Sequence, residues 1–418
     1  MNTLIQRISD KFQDALYLNS ILLILTTVAM AGFGFVFWLV NAKLFSAADI
    51  GIATAIIPTT TIIATASLFG LDNSIIRFLK GKNNNIEFIR SIFFFVTVLS
   101  ITSSIVFGLV SYLFSPTISD FFLSESNYLI FILLAVATTL NQLCEAIYLA
   151  NRRTIYSLVI TTFHSLLRAI LPFLFISFGA GGILLAAAVA QFIGLIINFV
   201  VLQKIWRYFA HWSISLSSLS GIWRFTTDNY VASLFSLLPY SIVPIIILDN
   251  IGSAEAAYYY IVLMIANVLF IIPGSVTKSL FAEGSHSEEH TGANIIKSII
   301  FIGATTIPCI GVIFLGAEFV LNIFGAAYVS GATLLKILSL ASIPYGLYSI
   351  NIALFKIAKK SHYYLVCNAL YAISEVFLVY YFIDLGLNGI GYAILSSNTI
   401  AAALATILAV NIKINGKL

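Results

Sequence analysis

Thr161, His164, Arg168 and Pro172 fall at i, i+3, i+7 and i+11 of the stretch "TTFHSLLRAILP" (161–172), so on a helix they share one face. The rest of that stretch is mostly Leu, Ile, Ala and Phe. A guanidinium keeps its charge at every accessible pH and offers paired N–H donors to a phosphate or carboxylate, so this face has the chemistry of an anion receptor. Pro172 lacks the amide that would bond the Arg168 carbonyl, which leaves a free acceptor and predicts a kink at the same depth. Glu375, in "YAISEVFLVY", lies 207 residues further on and is the other deep charge of the chain. Two readings follow. Either Arg168 and Glu375 neutralise one another, or the cation receives an anionic ligand while the carboxylate serves as counter-ion or titratable group.

The rest of the sequence sets these charges in a membrane. Of 418 residues, 60% are hydrophobic and 9% charged, and the mean hydropathy is +1.02, outside the range of soluble globular chains. Apolar runs long enough to span the bilayer recur at 19–41, 48–70, 91–115, 127–150, 155–178, 182–203, 226–248, 255–279, 295–316, 331–355, 362–383 and 387–411. Twelve transmembrane helices are therefore expected in an all-α polytopic membrane protein. Unbroken runs exclude the alternating segments of a β-barrel. The first run is too long for a cleavable signal, and "LIQRISDKFQDALYL" before it has the spacing of a short amphipathic helix lying on the membrane.

With the N-terminus inside, 18 of the 21 Lys and Arg residues fall in cytoplasmic segments, and Lys43 is the lone basic residue of the external loops. The basic bias predicts that both termini are cytoplasmic. It leaves Arg168 and Lys336 inside spans; Lys336 is close enough to a helix end to snorkel. Arg168 is twelve residues from Tyr156, about 18 Å into a helix of about 33 Å, which predicts a position near the midplane.

One offset of 207 residues aligns four separated places: "SAADIGIATAI" (46–56) with "SAEAAYYYIVL" (253–263), "IRSI" (89–92) with "IKSI" (296–299), "AIYLANRRTIYSLV" (146–159) with "ALFKIAKKSHYYLV" (353–366), and "GAGGI" (179–183) with "GLNGI" (386–390). The chain reads as two homologous six-helix lobes, 1–203 and 226–418, joined by a cytoplasmic linker, 204–225. Six is even, so the repeats are parallel, and two such bundles are expected to form a V-shaped cleft. Arg168 and Glu375 then occupy equivalent positions with opposite sign.

Other polar residues carry weaker signals. Thr138, Asn141, Gln142 and Glu145 form a stripe whose Glu145 is placed to pair with Arg152 at the interface. Asp228 and Asn229 open the seventh span, where capping is expected. Asn351 beside Tyr345 and Tyr348 suggests a lining for a sugar path, and the remaining span asparagines read as interhelical hydrogen-bonding groups. The loop "SHSEEH" has His and Glu but not the order of a metalloprotease. Cys144, Cys309 and Cys367 all lie within spans, so neither a disulfide framework nor metal-ligand spacing exists. No metal, cofactor or catalytic set is expected.

"GLDNSIIRFL" (70–79) and "SLFAEGSH" (279–286) resemble segments of the polysaccharide exporters of the multidrug/oligosaccharidyl-lipid/polysaccharide superfamily, specifically the Wzx-type O-antigen and repeat-unit flippases. The resemblance extends to length, helix number and layout. It implies a non-enzymatic transporter of the inner membrane. Such a protein moves undecaprenyl-pyrophosphate-linked oligosaccharide across the bilayer by alternating access, for O-antigen, lipopolysaccharide, capsule or exopolysaccharide assembly. Partners implied are that lipid-linked oligosaccharide, the bilayer, and the polymerase and glycosyltransferases of the same pathway; nucleic acid is not among them. The resemblance implies basic residues in the cavity for the pyrophosphate, a role that falls to Arg168; with the polar span residues read above, the substrate-binding residues expected are Arg168, Glu375, His164, Asn351 and Tyr348. The alternatives are an ion-coupled exporter of small amphiphiles or drugs and a lipid-linked-sugar polymerase or glycosyltransferase. Cation-coupled drug exporters of the superfamily often carry an acid in the first helix, and the first span here has none.

Overall fold

The computed structural model describes residues 15–79, 85–206, 223–286, 291–358 and 360–414. The N-terminal amphipathic segment, most of the linker and most of the "SHSEEH" loop lie outside the described residues. The first half contains α1 (Ala15–Leu44), α2 (Ala47–Leu68), α3 (Leu71–Phe78), α4 (Asn85–Phe114), α5 (Pro116–Phe122), α6 (Glu125–Ala150), α7 (Thr154–Ile170) and α8 (Gly179–Trp206). The second contains α9 (Trp223–Asn250), α10 (Ser253–His286), α11 (Thr291–Phe324), α12 (Ala332–Ile357), α13 (Ser361–Phe382) and α14 (Gly386–Ile414). Among the described residues, eleven apolar stretches are long enough to cross a membrane, and the last, His362–Asn411, contains both α13 and α14. Among the described residues the chain is therefore all-α with twelve spanning helices.

Two compact units divide it: Met1–Ser46 with Ile57–Thr227, and Ala47–Ile56 with Asp228–Leu418. The first ten residues of α2 thus belong with the second unit. There Gly51 lies so close to the Ser253 backbone that a Cβ at this position would collide with it.

The 207-residue repeat recurs in backbone detail. At the end of α6 the Arg153 amide donates to the Tyr148 carbonyl at 2.9 Å, and at the end of α12 the Lys360 amide donates to Phe355 at 2.8 Å. Both are the long bond of a Schellman cap; in the first, Arg152 takes the left-handed position with φ 55°. A 3-10 turn follows in each half, Ile176–Phe178 and Ile383–Leu385. Each turn ends on a glycine of positive φ, Gly179 at 54° and Gly386 at 63°, a conformation that L side chains disfavour. Three residues further, Gly182 lets α8 pass against the Phe175 carbonyl, and Gly389 does the same for α14 at Phe382.

Among the described residues, two of the differences between the halves bear on the elements around the site. Phe69 and Gly70 adopt positive φ and separate α2, which carries the second span, from α3 beyond it, whereas the equivalent Val276 and Thr277 continue through α10. Helix α3, which opens the "GLDNSIIRFL" segment, buries Leu71 and Ile75, with Leu79 just beyond it, against Phe88, Ile89 and Ile92 of α4 and Leu140, Leu143 and Ile147 of α6. The second difference is at Pro172. Here α7 stops at Ile170 and continues as a 3-10 turn, Leu171–Leu174, while α13, with Val379 at the equivalent place, runs unbroken to Phe382. Loss of the Pro172 amide therefore ends the α-helix, a stronger effect than the kink expected from sequence.

Candidate functional site

In the first unit, α1 packs along α7 and the turn after it, and α8 covers α7 from another side. Arg168 stands in the last turn of α7, where the exposed carbonyl ends of the helix favour a cation. It is fourteen residues from Thr154, about 21 Å along the axis, in a span that runs from Thr154 to Leu174. That puts it about two-thirds of the way along that stretch. The guanidinium lies 4.2 Å from the centre of the Phe37 ring of α1, and Phe37 itself is fully buried. Such a cation–π contact orients the guanidinium plane and compensates part of its desolvation.

One turn earlier, His164 is 7% exposed and its Nδ1 has no hydrogen-bond partner. Gly194 of α8 makes its place: a Cβ there would stand 3.0 Å from the ring Cδ2 and 3.1 Å from the His164 Cβ. Another turn back, Thr161 donates its hydroxyl to Glu145 Oε1 of α6 at 2.9 Å. This corrects the interfacial pairing of Glu145 with Arg152. Arg152 is exposed in the left-handed turn position of the cap, and the carboxylate turns instead to the next helix. A chain of hydrogen bonds continues between α6 and α8. Tyr148 donates to Asn198 at 2.9 Å, Asn198 to Asn141 at 2.9 Å, and Asn141 to the Gln191 side chain at 2.7 Å. These groups hold the lobe together by satisfying one another, as polar side chains inside membranes must.

In the second unit Glu375 is 4% exposed. Ser397 of α14 donates to its Oε2 at 3.3 Å, and Tyr371, one turn earlier on α13, lies against the carboxylate. Tyr348 donates to Asn368 at 3.1 Å, and Asn351 donates to Thr406 at 2.9 Å. Both are buried, and their hydrogen bonds tie α12 to α13 and α14. The Tyr348 ring packs between those of Tyr345 and Tyr371 at a tilt, with centroids at 6.4 and 5.8 Å.

The structure thus brings Thr161, His164 and Arg168 onto one face of α7, as their spacing predicts, and groups Glu375, Tyr348 and Asn351 within the second unit. Sequence reasoning missed Phe37, Ser397 and the Thr161 bond to Glu145. One signal was available: the repeat places Asn368 opposite Thr161, and each accepts or donates the hydrogen bond that joins α7 to α6 or α13 to α12. The side chains of Asp228 and Asn229 lie outside the described ones. Among the described residues no group of three or more His, Cys, Asp or Glu is arranged to hold a metal.

No family model matches the chain, and no curated protein does. Solved structures do. An inward-facing multidrug resistance MATE family transporter of the MOP superfamily has a TM-score of 0.73 at 16% identity, covering 93% of this chain and 94% of the other. The inward closed lipid II flippase MurJ has a TM-score of 0.74 at 14% identity, with 92% and 87% covered. A MOP superfamily transporter from Pyrococcus furiosus, described as having a binding pocket of reverse polarity, has a TM-score of 0.63 at 16% identity and 96% coverage of both chains. At these identities the likeness carries the fold: the chain has the two-lobe, twelve-helix architecture of MOP superfamily transporters.

Proposed function

We propose that the protein is a Wzx-type flippase that carries polyprenyl-pyrophosphate-linked oligosaccharide across the cytoplasmic membrane by alternating access. The observation that carries this reading is Arg168, a permanent cation within a span, held over Phe37 at 4.2 Å. A charge at the centre of a spanning helix costs about 2.5–3.5 kcal/mol on insertion scales, so such residues are kept for a use. A diphosphate supplies the bidentate acceptor that a guanidinium fits. His164, on the same face, stands beside it as a second contact, and Glu375 is the counter-charge of the other half. The repeat halves 1–203 and 226–418, joined by 204–225, are the two lobes by sequence, and both termini face the cytoplasm. The MurJ fold supports a lipid-linked cargo, and the absence of any Asp or Glu from α1 separates this chain from exporters with an acid there.

The MATE fold together with buried Glu375 favours a second reading, an ion-coupled exporter of small amphiphiles. Deleting the protein distinguishes the two. Under the flippase reading lipid-linked oligosaccharide accumulates on the inner leaflet and polysaccharide disappears from the surface. Normal surface polysaccharide with new sensitivity to amphiphilic cations would replace it with the second.

A further inference from the structure

We infer that Glu145 reads the sugar next to the diphosphate, so that α7 and its neighbours recognise the head group at two points; the inference rests on the flippase reading of Arg168. Glu145 accepts from Thr161 through Oε1 at 2.9 Å, and this hydroxyl fixes the carboxylate against α7. Its second oxygen receives no hydrogen bond from the described protein, and the residue is only partly buried. A carboxylate held inside a lobe with one oxygen open has an unused acceptor of high strength, since hydrogen bonds to ionised groups are about twice as strong as neutral ones.

Thr161 and Arg168 are seven residues apart on the same face, about 10 Å along the axis. A diphosphate and the first sugar attached to it occupy a comparable length. Between them stands His164, 7% exposed, with Nδ1 lacking a hydrogen-bond partner and its ring fixed by Gly194. Cation, imidazole and carboxylate thus follow one another in the order needed for phosphate oxygens and then sugar hydroxyls. The second half does not repeat this order: Ile352, Asn368 and Tyr371 stand where Glu145, Thr161 and His164 do. The recognition belongs to the first lobe.

The test is calorimetric binding to the purified full-length protein with two probes, farnesyl diphosphate and the same chain bearing one N-acetylhexosamine on its diphosphate. Wild type should bind the sugar-bearing probe about tenfold more tightly, the worth of one charge-assisted hydrogen bond. Glu145→Ala should bind both probes alike, with sugar-free affinity within about twofold of wild type. Glu145→Gln preserves the acceptor for Thr161 and protects the fold; it should reduce the preference to about threefold or less. A tenfold preference that survives in a monodisperse Glu145→Gln protein overturns the inference, as does equal weakening of both probes. Arg168→Ala tells the two readings apart. If it leaves sugar-free affinity intact, the flippase reading of Arg168 fails; if it abolishes it while Glu145 variants keep the preference, only the present inference fails.

Discussion

The guanidinium of Arg168 lies 4.2 Å over the Phe37 ring, so a spanning helix with no acid of its own sets the orientation of the deepest cation in the first lobe. The contact is worth about 0.5–2 kcal/mol. Phe37→Leu keeps the apolar volume and removes the ring face, and should weaken binding of a polyprenyl diphosphate by about two- to thirty-fold. Phe37→Trp should retain it. Titration of both variants checks this, and wild-type affinity in Phe37→Leu would show that the ring does not position the cation.

Pro172 ends α7 two residues beyond Arg168, and Val379 shows what the same position becomes without proline. Pro172→Val restores an amide donor to the Arg168 carbonyl and should extend the helix. Thermal stability should hold or rise while transport falls, since the guanidinium no longer sits in a terminal turn. Full transport with a longer helix would separate the break from the function.

The tandem repeat was legible in the sequence because four of its segments are turns and helix ends, where Gly and basic residues are fixed by backbone geometry. The structure repeats it at Gly179 and Gly386 and at the bonds to Tyr148 and Phe355. The face of Thr161, His164 and Arg168 was legible from helical spacing alone. What was not legible required knowing which helices touch. Nearness in sequence points Glu145 to Arg152, yet Thr161 on the neighbouring helix takes it. Phe37 gave no signal among 34 phenylalanines. Tyr348 and Asn351 are polar within spans for either binding or packing, and only their hydrogen bonds to Asn368 and Thr406 reveal the tie between helices.

If the two halves share a fold, equivalent substitutions should have equivalent effects. Gly182→Ala and Gly389→Ala each drive a Cβ into a backbone carbonyl, Phe175 and Phe382 respectively. Both should lower the melting temperature and the yield of monodisperse protein by similar amounts. Gly32→Ala, where nothing lies within 4 Å, should be neutral or slightly stabilising, because alanine favours helix. A harmless Gly389→Ala beside a damaging Gly182→Ala would contradict the repeat at this turn.

Asp72, in α3 outside the spans, has its carboxyl pushed above the ordinary range by burial, partly opposed by backbone hydrogen bonds. A carboxyl with a raised folded pKa binds its proton more tightly when folded, so this site loses stability as pH rises through and above the ordinary carboxylate range. Asp72→Asn should remove that slope and raise the melting temperature at neutral pH relative to wild type. Melting curves at acid and neutral pH check it, and a variant that is less stable at neutral pH would mean that the carboxylate is held by charge.

The central claim is that Arg168 receives the diphosphate of the cargo, and transport of a fluorescent polyprenyl-diphosphate oligosaccharide in proteoliposomes tests it most directly. Arg168→Ala should abolish flipping in protein that inserts normally, and Arg168→Lys should recover part, since the charge survives while the bidentate fork is lost. The exchange of Arg168→Glu with Glu375→Arg should recover little, because the cation has moved to the other half of the chain. Wild-type flipping by that exchange, or by the neutral pair Arg168→Met with Glu375→Leu, would make both charges scaffolding and contradict the account.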